Sequence, residues 1–394
     1  MKKNIIYLNK GKLVGIDMLL PILMELKSLM PDINILMIFS NDNQLRIVKS
    51  NYNLWECITL IDARVYPIKG KNKITTLFRL LRFFLIFFRE FALRKVIIIK
   101  ESDMLPCHKI TMGIMKAFSK IEEIKVYLNL ISSIACKSVQ LNHKLSRERR
   151  GKSVELGFFD ENFDYFLSTL SSEQYRKFFG VETPEIIKVG YVHRLPRWWK
   201  YVETTTKKNK ILDGGPYFLY ILTCLGRRRP EFEEPEIIEL LEESLNVLKS
   251  YNSRIKTVFK PHAITEIKRL RELLDKIMYT NYVIDYGHPM ILSANANFVF
   301  GNLYSFAMYD SYYIGKPVVE YSQYDREMLS RLNNRSFGGR CCDFFIDRNK
   351  TQLKDVLDKL INGKIFIKRD PDFIKEHFQE TPGEFYHFWK KILS

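Results

Sequence analysis

The strongest constraint on this chain is an alternation of short apolar runs with segments of helical period, and the alternation occurs twice. In the first half, "KNIIYLN" (3–9), "INILMIFS" (33–40), "CITLIDA" (57–63) and "KVIIIK" (95–100) read as buried strands. "MLLPILMELKSLM" (18–30) has helical spacing, and "KSVQLNH" (137–143), "FDYFLSTL" (163–170) and "EIIKVGYV" (185–192) extend the series. A polar passage, "KYVETTTKKNKILDGG" (200–215), interrupts it. Strands then resume with "YFLYILT" (217–223), "IKTVFK" (255–260), "YVID" (282–285), "ANFVFGN" (296–302) and "KPVVEY" (316–321). Between these lie helices such as "PEIIELLEESLNVLKSY" (235–251) and "EIKRLRELLDKIM" (266–278). Strands alternating with helices predict mostly parallel sheets covered on both faces.

The chain has 394 residues, beyond the ~250–300 at which a single core stops growing. The expected fold class is therefore α/β, with two Rossmann-like domains facing across a cleft and a C-terminal helix crossing back. The expected boundaries are residues 1–200, a linker at 201–215, a second domain at 216–370, and helices at 371–394 packing on the first domain. Ligands of such sheets bind at the carboxyl ends of the strands.

A formal charge of +17 points to a polyanionic partner: a phosphorylated substrate, an anionic membrane surface, or nucleic acid. No RNA-binding motif or zinc-finger spacing supports nucleic acid, which is set aside. None of the six cysteines forms a CxxC, which suits a reducing compartment. The opening "MKKNIIYLNKGK" lacks the long apolar stretch of a signal peptide, so a cytoplasmic location is expected. The most apolar segment is "TTLFRLLRFFLIFFREFALRK" (75–95), whose arginines rule out a membrane span. On a helical wheel Arg79, Arg82, Arg89, Glu90 and Arg94 share one arc, opposite Phe84, Phe87, Phe88 and Phe91. This is either a core helix with a basic outer face or a helix lying on an anionic membrane.

The sequence contains no GxGxxG after the first strand, no P-loop, no HExxH and no GxSxG. The remaining candidates stand at strand ends. Lys260-Pro261-His262 follows a clean apolar strand, and proline stops it there. In "FVFGNLYSFAMYD" (298–310) a strand ends at Gly301-Asn302 and a helix begins near Ser305. Such a junction suits a phosphate, or it makes Ser305 a helix cap only. Lys316-Pro317 launches the next strand. In the first half Asp17 lies in the glycine loop after the first strand. Glu101 and Asp103 follow the "KVIIIK" strand, and His143 follows "KSVQLN". These are candidate bases or acceptor ligands. Arg227, in "LGRRRP", is a candidate anion contact.

The ordered set resembles bacterial two-Rossmann (GT-B) glycosyltransferases of surface polysaccharides. It is most similar to the CDP-glycerol glycerophosphotransferases and to the capsule sialyl- and Kdo-transferases. The segments that carry the resemblance are "VQLNHK", "FDYFLST", "IKVGYVHRLPRWW", "LYILTCLGRRR", Lys260-Pro261-His262-Ala263, Ser305 with Asp310, and Lys316-Pro317. Departures are Ala263 for a proline, Phe306 for a second serine, and Lys144 for the glycine after His143. The resemblance implies that His262 and Ser305 hold the nucleotide phosphates and that His143 faces the reacting centre. With it, the expected activity is metal-independent transfer of a sugar, CMP-activated and acidic, from a nucleotide donor to a surface glycan or lipid-linked precursor. Lys260, Gly301, Asn302, Asp310 and Lys316 join the donor site, Asp17 is the base, and no cofactor is needed. The other readings are a polyol-phosphate transferase, a sugar-nucleotide 2-epimerase, and a non-catalytic basic binding protein of the same fold.

Overall fold

The computed structural model describes residues 4–9, 13–101, 105–127, 164–169, 173, 185–208, 215–223, 237–263, 265–324 and 326–393. The chain divides into two compact units. One holds the described residues within Met1–Ser133, Leu156–Lys200 and Glu376–Ser394, and the other holds those within Tyr201–Lys375.

The first unit begins β1 (Asn4–Asn9), α1 (Leu13–Leu29), β2 (Asn34–Asn41), α2 (Asp42–Ser50), α3 (Tyr52–Leu60) and β3 (Arg64–Lys69). It continues with α4 (Lys73–Glu90), β4 (Lys95–Lys100), α5 (His108–Phe118), β5 (Lys120–Tyr127), β6 (Tyr165–Ser168) and β7 (Ile186–Lys188). Its strands form a parallel sheet in the order β3-β2-β1-β4-β5-β6-β7. After a 3-10 turn, helix α6 (Pro196–Lys208) leads on. The division between the units falls within α6, so the first part of the expected 201–215 linker is helix.

The second unit has β8 (Tyr217–Ile221), α7 (Ile237–Lys249), β9 (Lys256–Lys260), α8 (Ile267–Lys276), β10 (Tyr282–Ile284), α9 (Pro289–Ala294) and β11 (Val299–Gly301). Next come α10 (Phe306–Tyr313), β12 (Val318–Ser322), α11 (Arg326–Arg331), β13 (Phe344–Asp347), α12 (Lys350–Ile361) and α13 (Pro371–His377). This sheet is also parallel, in the order β10-β9-β8-β11-β12-β13. Counted along the chain, each order begins 3-2-1-4-5-6, which is the Rossmann winding. The last helix, α14 (Gly383–Leu393), belongs to the first unit, where Phe388 meets Tyr165 edge to face at 5.0 Å. Gly190 makes room for the returning segment. Its φ is +76°, and a Cβ there would strike the carbonyls of Gln379 and Glu380.

Three local readings change. "CITLIDA" is not a strand: residues through Leu60 complete α3, whose N-cap Asn51 accepts from the Leu54 N–H. The strand is the following "RVYPIK", at the sheet edge, where Pro67 costs little because one side of an edge strand needs no ladder bond. Strand β5 was hidden by its charges. Its Glu123 is buried, and the Lys100 ammonium stands 2.7 Å away. The third change is in α4. Its core stripe is Phe83 and Phe87, continued by Phe91 after the helix, while Phe88 is partly exposed. The arginine arc is not uniformly outward, because Arg79 reaches back to Asp42 and the Lys69 carbonyl.

A buried carboxylate organises the carboxyl edge of the second sheet. Glu320 on β12 is fully buried and accepts from the Tyr304 N–H (3.0 Å), Ser322 Oγ (2.8 Å), Ser336 Oγ (2.5 Å) and the Tyr324 hydroxyl. Burial raises its pKa, and the four hydrogen bonds pull it down by less. Folding thus favours the protonated form. That contribution is complete below the ordinary carboxyl range and is lost as pH rises through the raised value. Wild type should lose stability over that window in denaturant titrations at a series of pH values, and Glu320→Gln should flatten the slope. Glu320→Ala should cost about 3 kcal/mol or more, because it strands buried donors. Equal pH slopes for wild type and Glu320→Gln would contradict this.

Candidate functional site

In the second unit the strand order reverses between β8 and β11, so a crevice is expected at their carboxyl ends. Three adjacent strands end there. After β8 comes Thr223, which is buried. Strand β9 ends in Lys260, buried, with its Nζ 3.3 Å from the Pro261 carbonyl it donates to. His262 is exposed, and its carbonyl accepts from the Thr265 N–H at 2.9 Å to close a turn. The Thr265 hydroxyl donates to the Thr223 carbonyl at 3.4 Å, tying the two loops together. Strand β11 ends at Gly301, where an added Cβ would stand 3.4 Å from the Ile221 carbonyl and 3.3 Å from Met308 Sδ. Then Ser305 caps α10, its Oγ accepting from the Ala307 N–H at 3.4 Å. Strands lie ~4.8 Å apart, so the β9 and β11 ends stand ~10 Å apart with β8 between them, a span on the scale of a diphosphate. The α10 N-terminus adds a partial positive charge.

Two predicted donor residues are placed elsewhere. The Asn302 carboxamide is consumed by the scaffold: Nδ2 donates to the Leu240 carbonyl (3.1 Å), Ser244 Oγ (3.2 Å) and the Tyr321 carbonyl (3.3 Å), and Oδ1 accepts from Tyr220. Lys316 precedes β12 and therefore sits at the amino end of the sheet, two residues before Val318. That is the wrong end for a ligand held by His262 and Ser305. Burial there lowers its pKa, and its carbonyl accepts from Arg369 at 2.5 Å. A helix running antiparallel to the strands must deliver the next strand start to the opposite edge. Asp310 is buried on the second turn of α10.

His288 carries no sequence signal beyond the literal His-Pro pair of "GHP". It is fully buried and caps α9, with Nδ1 accepting from the Met290 N–H at 3.2 Å. That bond leaves Nε2 to carry the proton of the neutral ring. A ring nitrogen of His288 and a carboxylate oxygen of Asp310 lie within 4.8 Å.

In the first unit the reversal falls between β1 and β4. Asp17 is not in a loop: it lies in the second turn of α1, which starts at the carboxyl end of β1. Its carboxylate is 3.5 Å from His193 Nε2, and the same nitrogen is 3.3 Å from the Asp17 carbonyl. His193, in the turn after β7, is buried and stacks on Trp198 at 5.3 Å. Nothing in the spacing of "VGYVHRL" marks His193 in the sequence. Glu101 follows β4, where its carboxylate accepts from Tyr7 and from Asn9 Nδ2 at 2.8 Å. A Cβ at Gly15 would collide with it, so α1 starts against this carboxylate and not over open space. Burial, then Glu101, raises the Tyr7 pKa well above its usual value, which keeps Tyr7 a donor. His143, Asp103 and Arg227 lie outside the described residues.

No protein-family model and no curated protein matches the sequence. Solved structures do share the fold. UDP-GlcNAc 2-epimerase from Methanocaldococcus jannaschii superposes with a TM-score of 0.57 at 15% identity over 100% of both chains. The same enzyme in complex with UDP-GlcNAc and UDP gives 0.54 at 14%, again over 100% of both. A UGT transferase from Siraitia grosvenorii in complex with UDP gives 0.51 at 11%, with 100% of each chain covered. The two parallel-sheet units thus have the GT-B fold.

The two asparagine and histidine environments separate scaffold from site. Asn302→Ala should cost about 2–4 kcal/mol, since it removes several buried hydrogen bonds. His262→Ala should stay within about 0.5 kcal/mol of wild type, as exposed positions do. Chemical denaturation of both variants checks the order, and the reverse order would remove Asn302 from the scaffold.

Proposed function

We propose that this chain is a nucleotide-sugar-dependent enzyme, and within that class a glycosyltransferase. The observation that carries the reading is the carboxyl edge of the second sheet. Lys260, His262 and the Ser305-capped start of α10 stand there on the ends of β9 and β11, which flank the central strand β8 beside the strand-order reversal. The fold supports it, because the M. jannaschii epimerase and the S. grosvenorii transferase were crystallised with UDP.

In this reading the nucleotide lies on the second unit. The bond between the anomeric carbon and the phosphate oxygen breaks. Negative charge on the leaving phosphate is met by Lys260, His262 and the α10 N–H groups, with no divalent ion required. Lys316, at the other end of the sheet, has no part in this. The first unit supplies the base: Asp17 takes the proton of the acceptor hydroxyl, and His193 steadies its carboxylate. The acceptor is a surface glycan or its lipid-linked precursor. The donor is a pyrimidine nucleotide sugar, either CMP-linked to an acidic sugar or UDP-linked as the fold neighbours favour. Polyol-phosphate transfer would use His143 as its base.

A sugar-nucleotide 2-epimerase is the second reading, favoured by the epimerases among the structural neighbours. The two differ in their need for an acceptor. An epimerase exchanges the C2 proton of its substrate with solvent deuterium when no acceptor is present, and a transferase does not.

Calorimetric titration with UDP-, CMP-, CDP- and GDP-sugars should identify one binder. His262→Ala should weaken that binding roughly tenfold or more, the worth of a charge-assisted hydrogen bond. Asp17→Asn should leave donor binding unchanged and lower kcat by on the order of 10²–10⁴. Wild-type affinity in His262→Ala would take His262 out of the site. Silence across the whole panel would favour the non-catalytic binding protein.

A further inference from the structure

Helix α4 has a second apolar face that the fold does not use. Phe83 and Phe87 fill the core. Ile74, Leu77, Phe78, Leu81, Leu85 and Phe88 are nonetheless 40–70% exposed. At 100° per residue these six fall on one arc of about 100°, running the length of the helix. Phe118 of α5 extends the patch: it meets Phe88 edge to face at 5.0 Å, and it is itself about half exposed. Its carbonyl accepts from the N–H of Leu93, whose side chain is almost fully exposed. A contiguous apolar ridge of this kind marks an interaction surface, whereas scattered exposed leucines do not.

The surrounding charge decides what it meets. Residues 73–89 contain no acidic side chain. Arg82 and Arg89 border the ridge on one side, and Lys69, Lys71 and Lys73 lie exposed at its start. Two acids that pair with arginines of this helix are already engaged, Asp42 by Arg79 and Glu90 by Arg64 and Arg89. A second copy of the chain would set the same basic fringe against itself. An apolar ridge with basic side chains along one side and at its start is complementary to acyl chains beneath anionic headgroups. No described helix is long and apolar enough to cross a membrane, so the helix would lie along the surface.

We propose that α4 is a membrane-docking helix that inserts this ridge into an anionic lipid surface. The assignment rests on α4 and its neighbours alone and does not depend on which nucleotide sugar the second unit takes.

Co-sedimentation of the full chain with phosphatidylcholine vesicles, with and without phosphatidylglycerol, tests it. Binding is expected only with phosphatidylglycerol, weakening as salt is raised. Leu81→Glu/Leu85→Glu should reduce the partition coefficient about tenfold or more. Arg82→Gln/Arg89→Gln should erase the preference for phosphatidylglycerol. All four side chains are exposed, so unchanged thermal melts would confirm that both variants fold. Nucleotide-sugar binding, measured in parallel without lipid, should be the same in both. No binding to either vesicle, or binding indifferent to Leu81→Glu/Leu85→Glu, would overturn the proposal. So would a lipid-independent dimer in analytical ultracentrifugation that the glutamates dissociate.

Discussion

The pairing of the first strand of each unit with the fourth is the constraint on which the rest depends. Strand β1 pairs with both β2 and β4, and β8 with both β9 and β11. Because parallel strands need a crossover between them, the chain winds one way from the central strand and then the other. The carboxyl ends of those central strands lie between paired neighbours on each side. In the second unit Gly301 ends β11 beside the Ile221 carbonyl, 3.4 Å from where a Cβ would stand. In the first, Glu101 lies against Gly15.

The same edges are rich in polar residues, and most of these hold the scaffold together. Asn302 links α7, β8 and β12 through one carboxamide. Glu320 gathers the Tyr304 backbone, Ser322, Tyr324 and Ser336 around one carboxylate. Asn9, Tyr7 and Glu101 form a comparable cluster in the first unit. Leaving any such buried group unpaired costs more than the bond itself is worth, so these networks are complete. Their effect in the second unit is to tie β8, β12 and the residues after β11 to one another. A small set of side chains, His262 among them, is then left facing outward on a rigid edge.

Legibility in the sequence followed the physics of burial. Strands such as "IIYL", "VIII" and "YFLYI" were plain because both of their faces are covered and every position is apolar. Strand β5 was opaque because Glu123 is neutralised by a lysine from the neighbouring strand, a partner that no local pattern reveals. The apolar run in α3 reads as a strand because it is too short to show its period, and the Asn51 cap is the better signal. For α4, periodicity sets one phenylalanine face opposite an arc of charged residues, and it does not show that Phe83 and Phe87 meet the core while Phe88 is exposed.

The sequence by itself determined the doubled α/β pattern, the absence of a long apolar span in residues 75–95, and the strand-end position of Lys260-Pro261-His262. Those follow from residue types and their spacing along a single element. Only the tertiary structure decided that Lys316 lies at the far edge, that Asn302 belongs to the core, and that Asp17 stands beside His193. It also decided that an apolar face of α4 points to solvent. These outcomes depend on which strand lies beside which and on the direction each helix runs back. Such contacts join residues as far apart as Asp17 and His193, and no local pattern encodes them.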